Sequence, residues 1–198
     1  SRNQRYDYPS RNADIAIREY APGADVVIDG LVWKSAGVTL NWQRHAADEE
    51  RPQIQSLRYG WKCNACGEAG TSISHEAHCV GCGSSDLARD RFLEPAGFRV
   101  ERSTKPHADT DNASYIEPIP PRISAKGAAW QPLLDAELGR MRSSPNGLVF
   151  HMSKGRKKEG YRLCLECGRV GEEGDNTLHE HPPLAYVKDK GSLCPGND

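Results

Sequence analysis

Three times this chain repeats Cys-x-x-Cys-Gly, at residues 63–67, 79–83 and 164–168, and that repetition constrains its folding more than any other feature. Six of the seven cysteines lie in these pairs, where two sulfurs are close for a structural disulfide yet well placed for a metal tetrahedron. The glycine after each pair is free to adopt positive φ, which turns backbone amides towards the thiolate sulfurs. Twelve residues separate Cys66 from Cys79. That spacing predicts two tight knuckles meeting face to face, with Cys63, Cys66, Cys79 and Cys82 closing a four-thiolate site on zinc. The alternatives are a redox pair, which would want a neighbouring βαβ pattern that is missing, and disulfides, which would want an oxidising compartment. His75 and His78 lie between the pairs, but four thiolates already complete a zinc shell, so they read as loop residues or neighbours of the ligands.

The third pair needs partners further on. Cys164 and Cys167 are followed by His179, His181 and Cys194, and three thiolates with one imidazole close the same tetrahedron. His181, just before Pro182-Pro183, is the preferred fourth ligand, with His179 as its competitor two residues away. The other reading leaves Cys194 a free thiol and sends the pair to a partner outside the sequence. Both sites read as closed, without the open position that a catalytic zinc keeps for water or substrate. Two structural zinc ions are therefore expected, each adding on the order of 10 kcal/mol to folding in apparent terms.

Such staples suit the composition. The 198 residues are 37% hydrophobic and include three phenylalanines, a modest stock for a core. A net charge of -1 provides no global field to draw the chain onto nucleic acid or an anionic membrane, so any such contact needs a local patch. No apolar run approaches the roughly 20 residues of a membrane span, and the N-terminus lacks the apolar middle of a signal peptide. The expected setting is cytoplasmic. A start at Ser1 and a stop four residues after Cys194 read as a piece excised from a larger protein.

The expected fold is mainly β with short helices, a small α+β arrangement with zinc-ribbon-like elements. Residues 1–50 form a β-rich opening segment, in which Val26, Val27 and Ile28 run through Asp29-Gly30 into Leu31, Val32 and Trp33 as a tight hairpin. Upstream, Ile15 and Ile17 alternate before Pro22-Gly23, and periodicity leaves a short strand and a helical turn both open. Residues 43–53 are polar and charged, an exposed link. Residues 51–100 hold the four-cysteine ribbon, with strands expected before Cys63 and around "DRFLEPAGFRVE". Residues 101–150 read as an extended, proline-rich loop over 102–122 and a short helix in "WQPLLDAELGRMR", where Leu133, Leu134 and Leu138 share a face. The stretch "NGLVFHMSKGRKKEGYRLCLEC" reads as a second hairpin, "LVF" with "YRL", whose loop carries the basic residues and whose return strand delivers Cys164 and Cys167, so residues 151–198 hold the basic hairpin and the second zinc site.

No phosphate-binding loop, dinucleotide fingerprint, HExxH or GxSxG motif is present, so the common enzyme signatures are missing and binding is the expected activity. Lys154, Arg156, Lys157, Lys158 and Arg162 cluster against Glu159, with Phe150 and Tyr161 nearby. On a hairpin tip such a cluster grips phosphates while an aromatic stacks on a base; the alternative is a solvated basic loop. Trp33, Trp42, Trp61 and Trp130 are expected in the core or against the zinc knuckles, Trp61 covering the first site.

The segments "IREYAPGADVVIDGLVWKSAGVTLNW", "GWKCNACG", "CVGCGS", "FLEPAGF", "GYRLCLECGRV" and "HPPL" together resemble the zinc-binding C-terminal region of bacterial DEAD/DEAH-box superfamily-2 helicases. The relevant groups are mitomycin repair factor A-like proteins and helicases of DISARM-type anti-phage systems. The resemblance runs over about residues 18–194 and implies a four-cysteine zinc site, matched by Cys63, Cys66, Cys79 and Cys82, in a helicase of DNA repair or antiviral defence. The ATP-binding and helicase motifs lie outside these residues, so hydrolysis and translocation would belong to an ATP-dependent parent protein. The expected function is thus an accessory domain that contributes nucleic-acid binding, with DNA and a helicase core or defence-system subunit as partners. The alternatives are a protein-interaction or scaffolding module and, more remotely, an independent zinc enzyme.

Overall fold

The computed structural model describes residues 9–40, 56–172, 181–184 and 193–194, and in these it is mainly β, with antiparallel pairing throughout. Trp42, His179 and the charged link at 43–53 lie outside the described residues. The chain divides into two compact units, one from 1–45, 95–119 and 153–198, the other from 46–94 and 120–152. No helix among the described residues is long and apolar enough to cross a membrane.

In the first unit, helix α1 (Ala13–Glu19) precedes strands β1 (Asp25–Ile28) and β2 (Leu31–Thr39). The open choice at residues 13–19 falls to the helix, which stops short of Pro22 because proline has no amide to donate and restricts the residue before it. The hairpin follows the expected register, with Ile28 opposite Leu31 and both Asp29 and Gly30 at positive φ. Strand β6 (Gly97–Val100) completes a β1-β2-β6 sheet. A bulge between Ser35 and Gly37 adds one residue on β2, and bulges of this kind re-aim side chains. The Ser35 hydroxyl donates to the Tyr20 carbonyl at 2.7 Å, tying the turn after α1 to β2. Ala21, Ala24 and Ile116 form a small apolar cluster in the same unit. The expected loop over 102–122 has little regular structure; its backbone is tied in by single contacts such as His107 to Val32.

In the second unit, β3 (Arg58–Cys63) is the central strand between β4 (Ala69–Ser72) and β5 (Leu87–Phe92), delivering Cys63 as expected. The Trp61 ring lies across Gly70, its cross-strand partner, where a Cβ would meet the indole at 2.6 Å. Two further pairings differ from expectation. The segment predicted as a helix is a small β-hairpin, β8 (Gln131–Pro132) and β9 (Arg140–Met141), whose loop holds a 3-10 turn over Ala136–Leu138. Pro132 withholds an amide from any helix there, and Leu134 and Leu138 stand exposed instead of meeting a core. Strand β10 (Leu148–Phe150) pairs with β7 (Arg122–Ser124), while β11 (Tyr161–Leu163) in the first unit pairs with β12 (Val170–Glu172). The expected hairpin of "LVF" with "YRL" is therefore not formed.

Candidate metal centres

The three Cys-x-x-Cys-Gly segments fold into three copies of one knuckle. In each, the first cysteine's amide donates to the carbonyl five residues on, as Cys63 to Glu68, Cys79 to Ser84 and Cys164 to Arg169, at 2.7, 2.8 and 2.9 Å. The glycine amide returns to the first cysteine's carbonyl, from Gly67, Gly83 and Gly168 at 3.0, 2.8 and 2.9 Å. The three glycines share φ of 75, 75 and 80°, a conformation that side-chain-bearing residues resist.

The knuckles gather two sets of donors. Cys63, Cys66, Cys79 and Cys82 form one, and Cys164, Cys167, His181 and Cys194 the other, with the ligand atoms of each set within 4.8 Å of one another. A tetrahedron with metal–sulfur bonds of about 2.3 Å has sulfur–sulfur edges of about 3.8 Å. Cys63 to Cys82 is 3.7 Å, Cys66 to Cys79 is 3.6 Å and Cys164 to Cys194 is 3.7 Å. His181 presents Nε2 to Cys167 Sγ at 3.3 Å, and the Cys194 amide bonds the His181 carbonyl at 2.9 Å. Both sets thus fit a small tetrahedral ion, and thiolate-rich donor sets suit zinc. His75 and His78 are exposed and outside the first set; His75 meets the edge of the Tyr59 ring.

The electrostatics are those of crowded thiols. Burial acts to raise the Cys63 pKa, but the amides of Cys66 and Ala65 and the thiols of Cys82 and Cys66 outweigh it and hold it at about 7. Burial pushes Cys79 up to about 12. In the second centre the Cys167 thiol and burial raise Cys164 to about 12, while Cys164 in turn lowers Cys167. The first proton leaves such a cluster readily and the last is held, so metal entry must displace protons.

Each centre is backed by neighbours that spacing rules did not reveal. Trp61 and Leu87 pack on Cys63 and Cys79, as expected for Trp61. Glu68, the residue after Gly67, is fully buried; Oε1 accepts from the Ser124 hydroxyl and the Ala125 amide at 3.1 Å each, and Oε2 pairs with Arg142. Arg142 and Arg140 both lie over the Trp130 ring, at 4.5 and 4.8 Å. Trp130 is therefore an exposed cation–π partner, outside the core and the clusters around the cysteines where it was expected. At the second centre, the bulge in β2 brings Ala36 against the cluster and Gly37 under the Gly168 carbonyl, where no Cβ fits. Arg169 donates through Nε to the Pro182 carbonyl, next to His181, and pairs with Glu101.

The basic residues at 154–162 surround a tight loop in the first unit. It is closed by the Gly160 amide on the Lys154 carbonyl at 3.0 Å, with Lys158 at φ 61°. Arg156, Lys157 and Lys158 are exposed, whereas Lys154 and Arg162 are half-buried. Arg156 is engaged internally: its Nη2 donates to the Gly23 carbonyl at 2.9 Å and the Ser114 hydroxyl at 2.6 Å. The Tyr161 hydroxyl reaches the Pro22 carbonyl at 3.2 Å, and Lys158 faces Glu117 at 3.5 Å.

Comparison with protein-family models, with curated proteins and with solved structures gives no match.

Proposed function

We propose that this chain is a zinc-stabilised accessory domain of a DNA helicase or translocase in genome defence or DNA repair, in which it contributes nucleic-acid binding. Zinc is the ion in both centres of this reading, because it accepts four-thiolate and three-thiolate-imidazole tetrahedra without a redox change. The domain itself performs no catalysis; its ATP-driven partner would be the parent helicase. The observation that carries the nucleic-acid part is the exposed tip at Lys157 and Lys158, braced through Arg156 and Tyr161 onto Pro22 and Gly23. These two belong to the "REYAPG" stretch that carries the helicase resemblance. A braced basic tip meets a phosphate backbone with little ordering cost.

The test is DNA affinity of the full chain across a salt series, with Lys157→Glu and Lys158→Glu. The slope of log affinity against log salt should fall by about 1 for each lysine that contacts a phosphate. An unchanged affinity and slope would remove DNA contact from this loop.

A second reading, an interaction or scaffolding module without DNA contact, is favoured by exposed apolar residues in the second unit. Ile123 and Val149, directly opposite on β7 and β10, are 62% and 67% exposed, and Leu138 is 76% exposed. It prevails if the chain shows no DNA binding at low salt yet copurifies with a helicase core, and if Ile123→Ser with Val149→Ser abolishes that association.

A further inference from the structure

The two centres share their sulfur spacing and differ in access. All four ligands of the second are buried, whereas in the first Cys82 is exposed and Cys66 half-buried, with Cys63 and Cys79 buried. Cys82 stands between Gly81 and Gly83, both exposed, and a Cβ on Gly83 would meet nothing within 4 Å. Val80, on the same knuckle, is itself 65% exposed. Behind Cys82, at 3.7 Å, lies the sulfur of the fully buried Cys63. An accessible thiolate with a second thiolate at its back is the arrangement in which oxidation proceeds to a disulfide.

We propose that the Cys63, Cys66, Cys79 and Cys82 centre is an oxidant-labile metal site, with Cys82 the point of attack by a hydroperoxide and Cys63 the resolving thiol. The second centre is its inert counterpart. The inference rests on the reading that both centres hold zinc. The Cys82 thiolate attacks a peroxide oxygen; a sulfur–oxygen bond forms, the oxygen–oxygen bond breaks, and hydroxide or alkoxide departs, leaving a sulfenic acid. The Cys63 thiolate then attacks the Cys82 sulfur; the disulfide forms, the sulfur–oxygen bond breaks, and hydroxide departs. Two thiolates have supplied the two electrons that reduce one hydroperoxide. Cys66 and Cys79 remain, half a tetrahedron, and cannot retain the ion. Trp61 and Leu87, which pack on this cluster, lose their support, so oxidation loosens the second unit and leaves the Cys164 centre loaded.

The test treats the zinc-loaded full chain with hydrogen peroxide, follows released zinc with a chromogenic chelator, and maps disulfides by mass spectrometry. One zinc should leave well before the other. The first cross-link should join Cys63 to Cys82, with Cys164, Cys167 and Cys194 still open to alkylation after unfolding. Cys82→His keeps four donors, matching the donor types of the second centre, and should slow the first release roughly tenfold. Simultaneous release from both centres, a first disulfide that omits Cys82, or a folded Cys82→His protein as sensitive as the original would each overturn the proposal. Should Cys82→His fail to fold, the order of release and the first cross-link in the unaltered chain decide. A chain that binds no zinc overturns the underlying reading as well, whereas bound zinc released without order overturns this inference alone.

Discussion

Gly168 and Gly67 occupy the same position in two copies of one knuckle, yet they carry different burdens. Both adopt positive φ, but a Cβ on Gly168 would collide with the Val38 carbonyl oxygen, while one on Gly67 would meet nothing within 4 Å. Gly67→Ala should therefore cost only the backbone penalty, about 1–2 kcal/mol. Gly168→Ala should add about 1–3 kcal/mol of overpacking, because the strand it strikes is hydrogen-bonded to it through the Val38 amide. Urea denaturation of the two variants checks the difference, and equal losses would refute the close approach. Glu68 is a second residue whose role is hidden in its type. A fully buried carboxylate paired with Arg142 leaves an uncompensated charge when its partner is removed. Arg142→Ala should destabilise the protein by about 3–5 kcal/mol. Double substitution with Glu68→Gln should cost less than the sum of the singles, which a double-mutant cycle measures.

At the scale of elements, β2 does the most connecting. It pairs with β1 and β6, and its bulge sets Ala36 and Gly37 against the second centre. Asp25 on β1 holds this region to the loop at Ser114 and to Lys34. Burial alone would raise its pKa, but hydrogen bonds from Lys34 and Ser114 prevail and lower it from 3.8 to about 2. A carboxylate depressed on folding stabilises the native state above its unfolded value, and that contribution is lost as pH falls through the folded value. The stability lead of the original protein over Asp25→Asn should therefore hold from neutral pH down to about the ordinary carboxylate range. It should then shrink as pH falls from 3.8 to about 2. Urea midpoints are compared only over the pH range in which both proteins keep their metal, because acid that strips the ligands would unfold both alike. A lead that grows on acidification would contradict the assignment.

The elements that the sequence misplaced share a cause. The leucine spacing in "WQPLLDAELGRMR" matches a helix face, but a face forms only where a core receives it. Here Leu134 and Leu138 are exposed, and the segment is closed by a hairpin and by arginines stacked on Trp130. The strands "LVF" and "YRL" have the right composition for pairing, yet β10 finds β7 and β11 finds β12. Strand-forming character is local, whereas the choice of partner depends on what lies alongside. By contrast, the Asp29-Gly30 hairpin was legible because its turn residues dictate both partner and register within a few positions.

At the scale of the whole molecule, the cysteines are a large part of the interior formed by the described residues. One core cluster consists of Trp61, Cys63, Cys79 and Leu87, and another of Cys164, Cys167, Leu184 and Cys194. Each of the two units contains one centre, so each loses a core cluster when its ligand residues are no longer held together, although the first unit keeps the cluster of Ala21, Ala24 and Ile116. Purified protein should contain close to two zinc ions per chain, and strong chelation at neutral pH should unfold both units, visible as loss of near-ultraviolet circular dichroism. One zinc per chain would dissolve the Cys164, Cys167, His181 and Cys194 site. Full retention of structure after chelation would refute a structural role for either.

The sequence by itself determined the three knuckles with their six cysteines, and the first hairpin, because each depends on residues only a few positions apart; Cys194, which spacing alone also allowed as a free thiol, is joined to the second set as its seventh donor only by the fold. The eighth donor, His181, needed the folded chain to place its Nε2 beside Cys167. Tertiary structure alone decided that Glu68 is buried against Arg142, that Trp130 faces solvent, and that Arg156 braces a loop. It also decided that Cys82 is open while its counterparts in the second centre are closed. Spacing dictates which ligands can meet, but access and burial arise from segments distant in sequence, whose many weak contacts no local pattern records.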